Sequence, residues 1–137
     1  MALHIIKLCV GCDSIEELQA WRRETQASEP QWRARTRQTP KRATEVLDGG
    51  SFYRVFRGVI LCRQRILGIE TVGEGQAARC EMVLDPEIVR VAPTPRRAFQ
   101  GWRYLIDREA PPDLQATGVE ESFPSDLARQ LRELGAW

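Results

Sequence analysis

The sequence predicts an α+β fold: a mostly antiparallel, strongly curved sheet or partly closed barrel, with helices near both ends. Two observations carry that reading. Apolar runs of strand length and period-two alternation concentrate in the middle of the chain, whereas helical spacing of apolar residues recurs toward its two ends. The regular strand–helix alternation that builds a doubly wound parallel sheet is missing. The 137 residues suit one domain, 1–137, long enough to bury a core without disulfides or metals.

Leu3 to Cys9 is a short apolar run ending at Gly11, the pattern of a strand buried inside a sheet. Ser14 and Glu17 form an S-x-x-E capping box ahead of Ile15, Leu18 and Trp21 at helical spacing, so a helix is expected over 15–27. Trp32 to Arg37 alternates strictly, with Trp32, Ala34 and Thr36 on one side and Arg33, Arg35 and Arg37 on the other. Thr39 and Pro40 resemble an N-cap and first helical position, predicting a short helix through Leu47 that stops at Asp48-Gly49-Gly50.

Phe52 to Val72, broken by Gly58 and Gly68, is too long for one straight strand and predicts two strands or one bent strand. A turn at Gly73-Glu74-Gly75 precedes a strand with Cys80, Met82 and Leu84 on its buried face. Ile88 to Val91 reads as another short strand, and Pro93 and Pro95 as punctuation before RRAFQGWRYL. Pro111-Pro112 closes that segment, and Leu127, Leu131 and Leu134 predict a terminal amphipathic helix before Gly135.

An apolar fraction of 42% with 28% charged residues is ordinary for a globular chain and argues against pervasive disorder. No run approaches the roughly 18 apolar residues of a membrane span, and no export signal is evident. A cytoplasmic location with reduced cysteines, as monomer or small homo-oligomer, is therefore expected. Net charge is only +1, yet from Gln31 to Gly68 nine basic residues face Glu45 and Asp48 alone, leaving that stretch +7 and the remainder −6.

Catalytic and metal motifs are incomplete. Cys9-Val10-Gly11-Cys12 has C-x-x-C spacing, but Cys62 and Cys80 do not form a second such pair, and no zinc or other metal is expected. His4 is the sole histidine and sits in an apolar strand, which favours a structural role over a nucleophilic triad. Gly73-Glu74-Gly75-Gln76-Ala77-Ala78 matches G-x-G-x-x-A, but the strand-like RCEMVL follows where a phosphate-binding helix is required. No cofactor is expected.

The arginines say more. Alternate strand residues lie about 6.6 to 6.8 Å apart on one face, so Arg33, Arg35 and Arg37 can form a guanidinium row, as can Arg63 and Arg65. Near Arg96, Arg97 and Arg103 lie Phe99, Trp102 and Tyr104, the basic and aromatic mixture of a stacking platform. The competing reading is a solvated face protecting a sheet edge, with eighteen arginines against two lysines reflecting genome composition. The expected function is nucleic-acid binding, RNA first. Arg35, Arg37, Lys41, Arg42, Arg63, Arg65, Arg97 and Arg103 would contact the ligand, while Tyr53, Trp102 and Tyr104 stack. The alternatives are a small-molecule or nucleotide-processing enzyme, and a protein-interaction module using the terminal helix and Trp137.

The segments MALHIIKLCVGCDSIEEL, TRQTPKRATEVLDGGSFYRVFRGVILCRQRIL and PRRAFQGWRYLIDREAPPDL resemble an uncharacterised bacterial family, domain of unknown function 1489. The resemblance spans nearly the whole chain and implies no established activity. The chain departs at Arg54 and Arg57 of FYRVFRG, where the family pattern leads one to expect an aromatic and a lysine. The order of elements is also similar to pseudouridine-synthase-and-archaeosine-transglycosylase-like (PUA-like) barrels, many of which bind RNA, an analogy of fold alone.

Overall fold

A computed structural model describes residues 2–25 and 31–114. The expected terminal helix and the last residues of the first helix lie outside them. Within them are seven strands and two α-helices: β1 (Leu3–Leu8), α1 (Ile15–Thr25), β2 (Trp32–Thr36), α2 (Ala43–Leu47), β3 (Ser51–Phe56), β4 (Val59–Val72), β5 (Arg79–Leu84), β6 (Val89–Pro95) and β7 (Trp102–Ile106). No helix among the described residues is long and apolar enough to cross a membrane.

The strands form one sheet in the order β2-β5-β4-β3-β1-β7, with β6 beside β4 off this path. Among the described residues only β1 and β3 run parallel. Both faces of that pair are covered: Ile5 and Phe52 enter a large core with Leu18, Trp32, Val46 and Met82, whereas Ile6 and Tyr53 enter a smaller one with Val55, Val91 and Leu105. Two-sided burial explains why β1 is apolar without alternation. The sheet does not close into a barrel, because among the described residues no backbone ladder joins the end strands β2 and β7.

The long span read from Phe52 to Val72 contains both a turn and a bend. Arg57 and Gly58, at φ +48° and +82°, connect β3 to β4 as a two-residue hairpin. Strand β4 then pairs with β3 and β6 through its first half and with β5 through its second, the register shifting between Ile66 and Gly68. The capping box forms with a change of partner: the Glu17 amide donates to Ser14 Oγ, but the Glu17 carboxylate accepts from Asp13 rather than Ser14.

Two boundaries differ from expectation. Helix α2 begins at Ala43, with Arg42 rather than Thr39 at its N-cap; the Thr39 hydroxyl instead meets that of Thr71 at 2.9 Å. Strand β6 runs through Pro93 and Pro95, which is tolerated because its one ladder neighbour among the described strands is β4 and its other side is met only by the short Pro112–Leu114 bridge at Arg90 to Ala92.

Candidate nucleic-acid interface

Three depressions surround the end of β1 and share lining residues, the first on the face of the smaller core and the other two on the face of the larger one. The first, about 1070 Å³, lies between the end of β1, the Arg57-Gly58 turn and the segment after β6, with Arg57, Arg96 and Arg97 on its walls. It shares Leu8, Cys9 and Val10 with a 290 Å³ pit under α1, lined by Lys7, Arg33, Arg35 and Arg54. That pit shares Lys7 and Arg35 with a 510 Å³ depression holding Arg37, Gln38, Gln100, Trp102 and Arg103. Among the described residues, every charged side chain lining the three is basic.

Strand alternation places the β2 arginines opposite Trp32 and Thr36, which are buried. They do not form a bare row. Pairing of β2 with β5 sets Glu81 opposite Arg35, so Arg35 Nε lies 3.0 Å and Arg33 Nη1 3.1 Å from Glu81, and Arg33 also meets Glu70. The arginine contacts hold the Glu81 carboxyl below its ordinary range, Arg35 contributing most. Arg57 meets Asp13 at 3.2 Å.

The third depression spans the open seam between β2 and β7, and side chains bridge it. Trp102 Nε1 donates to the Gln38 carbonyl at 3.0 Å, and the indole packs edge-to-face on Tyr104 with centroids 5.0 Å apart. The Tyr104 hydroxyl accepts the Arg42 amide, and the Arg42 guanidinium lies 5.6 Å from the Tyr104 ring while pairing with Glu45. Trp102 and Tyr104 are half-buried, neither free platforms nor full core residues. Lys41 and Arg42 are exposed beside them.

Arg54, absent from the sequence-derived set, occupies the floor of the pit. Alternation along β3 turns Phe52, Arg54 and Phe56 to the same side, so Arg54 stands at a core-facing position. Its guanidinium lies 4.9 Å from the Phe52 ring and 5.7 Å from that of Trp32, and Nε donates to Gln64 Oε1 at 3.0 Å. Gln64 is fully buried and donates onward to the Asp85 carbonyl. No carboxylate pairs with Arg54 among the described residues. Burial lowers its pKa, with the neighbouring thiols opposing that shift.

The remaining expected residues lie elsewhere. Tyr53 and Arg63 line a separate 400 Å³ depression with His4, Ser51, Asp107 and Asp113. Arg63 grips Asp113 through Nε at 2.8 Å and Nη2 at 2.6 Å, and its Nη1 donates to Ser51 Oγ. His4 Nδ1 accepts the Ser51 amide at 3.0 Å, which leaves the ring proton on Nε2, 2.9 Å from Asp107 Oδ1. Both ring nitrogens are occupied, and the Ser51 hydroxyl faces Arg63, so these groups do not form a nucleophilic triad. Burial pushes the Tyr53 phenol up to about 12. Arg65 is exposed and outside the three depressions.

The four cysteines are free thiols. Cys9 hydrogen-bonds Cys12, and burial raises the Cys9 pKa to about 12 despite Arg54 beside it. A thiol held protonated is a poor nucleophile and metal ligand. Among the described residues no three His, Cys, Asp or Glu side chains are grouped to hold a metal.

An open, mostly antiparallel sheet with two helices, its end strands β2 and β7 joined by side chains, defines an α+β protein. The chain belongs to the family described as "Protein of unknown function (DUF1489)", which matches residues 5–137. No curated protein and no solved structure matches it.

Proposed function

We propose that the basic surface around the end of β1 binds single-stranded nucleic acid, RNA first, without catalysing a reaction on it. The observation that carries this reading is that, among the described residues, every charged side chain lining three neighbouring depressions is basic, in a chain whose net charge is only +1. Arg37 and Arg103 line the seam depression with Trp102, Arg103 reaching the Gln100 and Trp102 carbonyls through Nη1, and Arg96 and Arg97 line the depression across the end of β1. Gln38 and Gln100 beside Trp102 supply amides able to meet a 2′-hydroxyl. A cytoplasmic location and kinship with PUA-like barrels belong to the same proposal. Tyr53, Arg63 and Arg65 do not line this surface and are left out of it.

The test is titration of a fluorescent single-stranded RNA pool at several salt concentrations. Each phosphate contact on a single strand contributes about 0.7 to the slope of log affinity against log salt, so removing Arg37 and Arg103 together should flatten it by on the order of 1. Arg65→Ala, outside this surface, should leave the slope unchanged. Absence of binding at low salt, or equal losses from depression-lining and control variants, refutes the reading.

A further inference from the structure

Arg54 poses a problem that strand binding at the rim does not answer. Arg54 is half-buried with its guanidinium beneath two aromatic rings, and among the described residues it has no carboxylate to offset the desolvation this brings. Among the described residues, the one strong acceptor at Arg54 is the neutral Gln64 amide at Nε, while the neighbouring cysteine thiols are weak partners. Trp32, whose ring packs near the same guanidinium, buries an indole N–H with no acceptor either. Among the described residues, the pit thus gathers more strong donors than strong acceptors around Arg54.

The geometry points to a receptor for a phosphate monoester, with the Arg54 guanidinium at its floor as the fork and Lys7 at its mouth. Monoester is favoured over diester by charge and by depth. A terminal phosphate carries about −1.5 to −2 near neutral pH, whereas a backbone diester carries a single charge. The pit is lined by four basic residues; Glu70 on Arg33 and Glu81, shared by Arg33 and Arg35, balance those two, which leaves Arg54 and Lys7 as the two charges without a carboxylate partner among the described residues. A 290 Å³ pit beneath a helix admits the end of a ligand more readily than a phosphate held on both sides by a continuing chain. The group can come from a strand end lying on the basic surface or from a free nucleotide or sugar phosphate. The site stands on Arg54 and does not require strand binding.

The experiment uses the whole chain and begins without nucleic acid. Methyl phosphate, dimethyl phosphate and inorganic phosphate are titrated at constant ionic strength, read by calorimetry and by the Arg54 guanidinium resonances in nitrogen-15 spectra. Methyl phosphate should bind and shift those resonances, with dimethyl phosphate at least tenfold weaker. Arg54→Met should lower methyl phosphate affinity at least tenfold, and Arg54→Lys, which keeps charge without the fork, should recover only part of it. Where a variant does not fold, the wild-type resonances decide.

A second arm compares RNA carrying a 5′-phosphate, a 3′-phosphate or neither. A gain from either terminal phosphate that Arg54→Met abolishes identifies the strand end as the source; no gain, with methyl phosphate still bound, identifies a free metabolite. No response of the Arg54 resonances to any of the small phosphates overturns the proposal, as does equal affinity for mono- and diester. Either result leaves the salt dependence of strand binding to be judged separately.

Discussion

Removing the Trp102 ring should unfasten the seam. Full burial of a tryptophan makes its loss cost about 3 to 5 kcal/mol, and a half-buried ring suggests roughly 2 of these. The hydrogen bond from Nε1 to the Gln38 carbonyl, 3.0 Å long, adds about 1. Trp102→Ala should thus cost about 3 kcal/mol, lowering the melting temperature by on the order of 10 °C. Trp102→Phe keeps an aromatic ring against Tyr104 but removes the donor and part of the ring surface, so about 1 to 2 kcal/mol is expected. Urea unfolding followed by circular dichroism measures both. A cost below about 0.5 kcal/mol for Trp102→Ala would refute the seam argument, and a lost RNA affinity with unchanged stability would make the ring a stacking platform instead.

The Arg63–Asp113 fork predicts a pH dependence. Arg63 holds the Asp113 carboxyl below its ordinary value, so its contribution is present above the unfolded pKa and disappears as pH falls through the folded one. Asp113 is 37% exposed, so solvent screening limits the expected loss in Asp113→Asn to about 1 kcal/mol at pH 7; melting curves of the two proteins should converge in acid. Gly50→Ala should be far worse, since an added Cβ would overlap the backbone carbonyls of Leu3 and Val46, which cannot swing aside. Roughly 3 kcal/mol or failure to fold is expected, seen as lost soluble yield; a normal melting temperature would show that β1 and α2 can separate at little cost.

Legibility followed the range of the interactions involved. Strand β1, the start of α1 and the alternation in β2 are written in neighbouring residues, and all three appear where the sequence puts them. Thr39 misled because a good N-cap is recognised by local pattern, whereas its hydroxyl is occupied by Thr71 from β4. The arginine row looked bare for a similar reason: Glu81 is opposite Arg35 only once β2 and β5 pair, 46 residues apart in sequence. Arg54 had a visible signal that was not used, namely an arginine between Phe52 and Phe56 on the buried parity of a strand. Lys7, at the same parity as Leu3 and Ile5, had one too.

The placement of β1 constrains how the molecule can be made. Its two neighbours are β3 and β7, so β1 acquires its last partner only after Ile106, about a hundred residues later, has left the ribosome. At roughly 5 to 20 residues per second, β1 waits several seconds with one apolar edge open. During that interval it is the segment most exposed to mispairing with another chain. Slow synthesis between residues 60 and 100 should therefore favour aggregation over native assembly, and a permuted chain that delivers β7 next to β1 should escape that hazard.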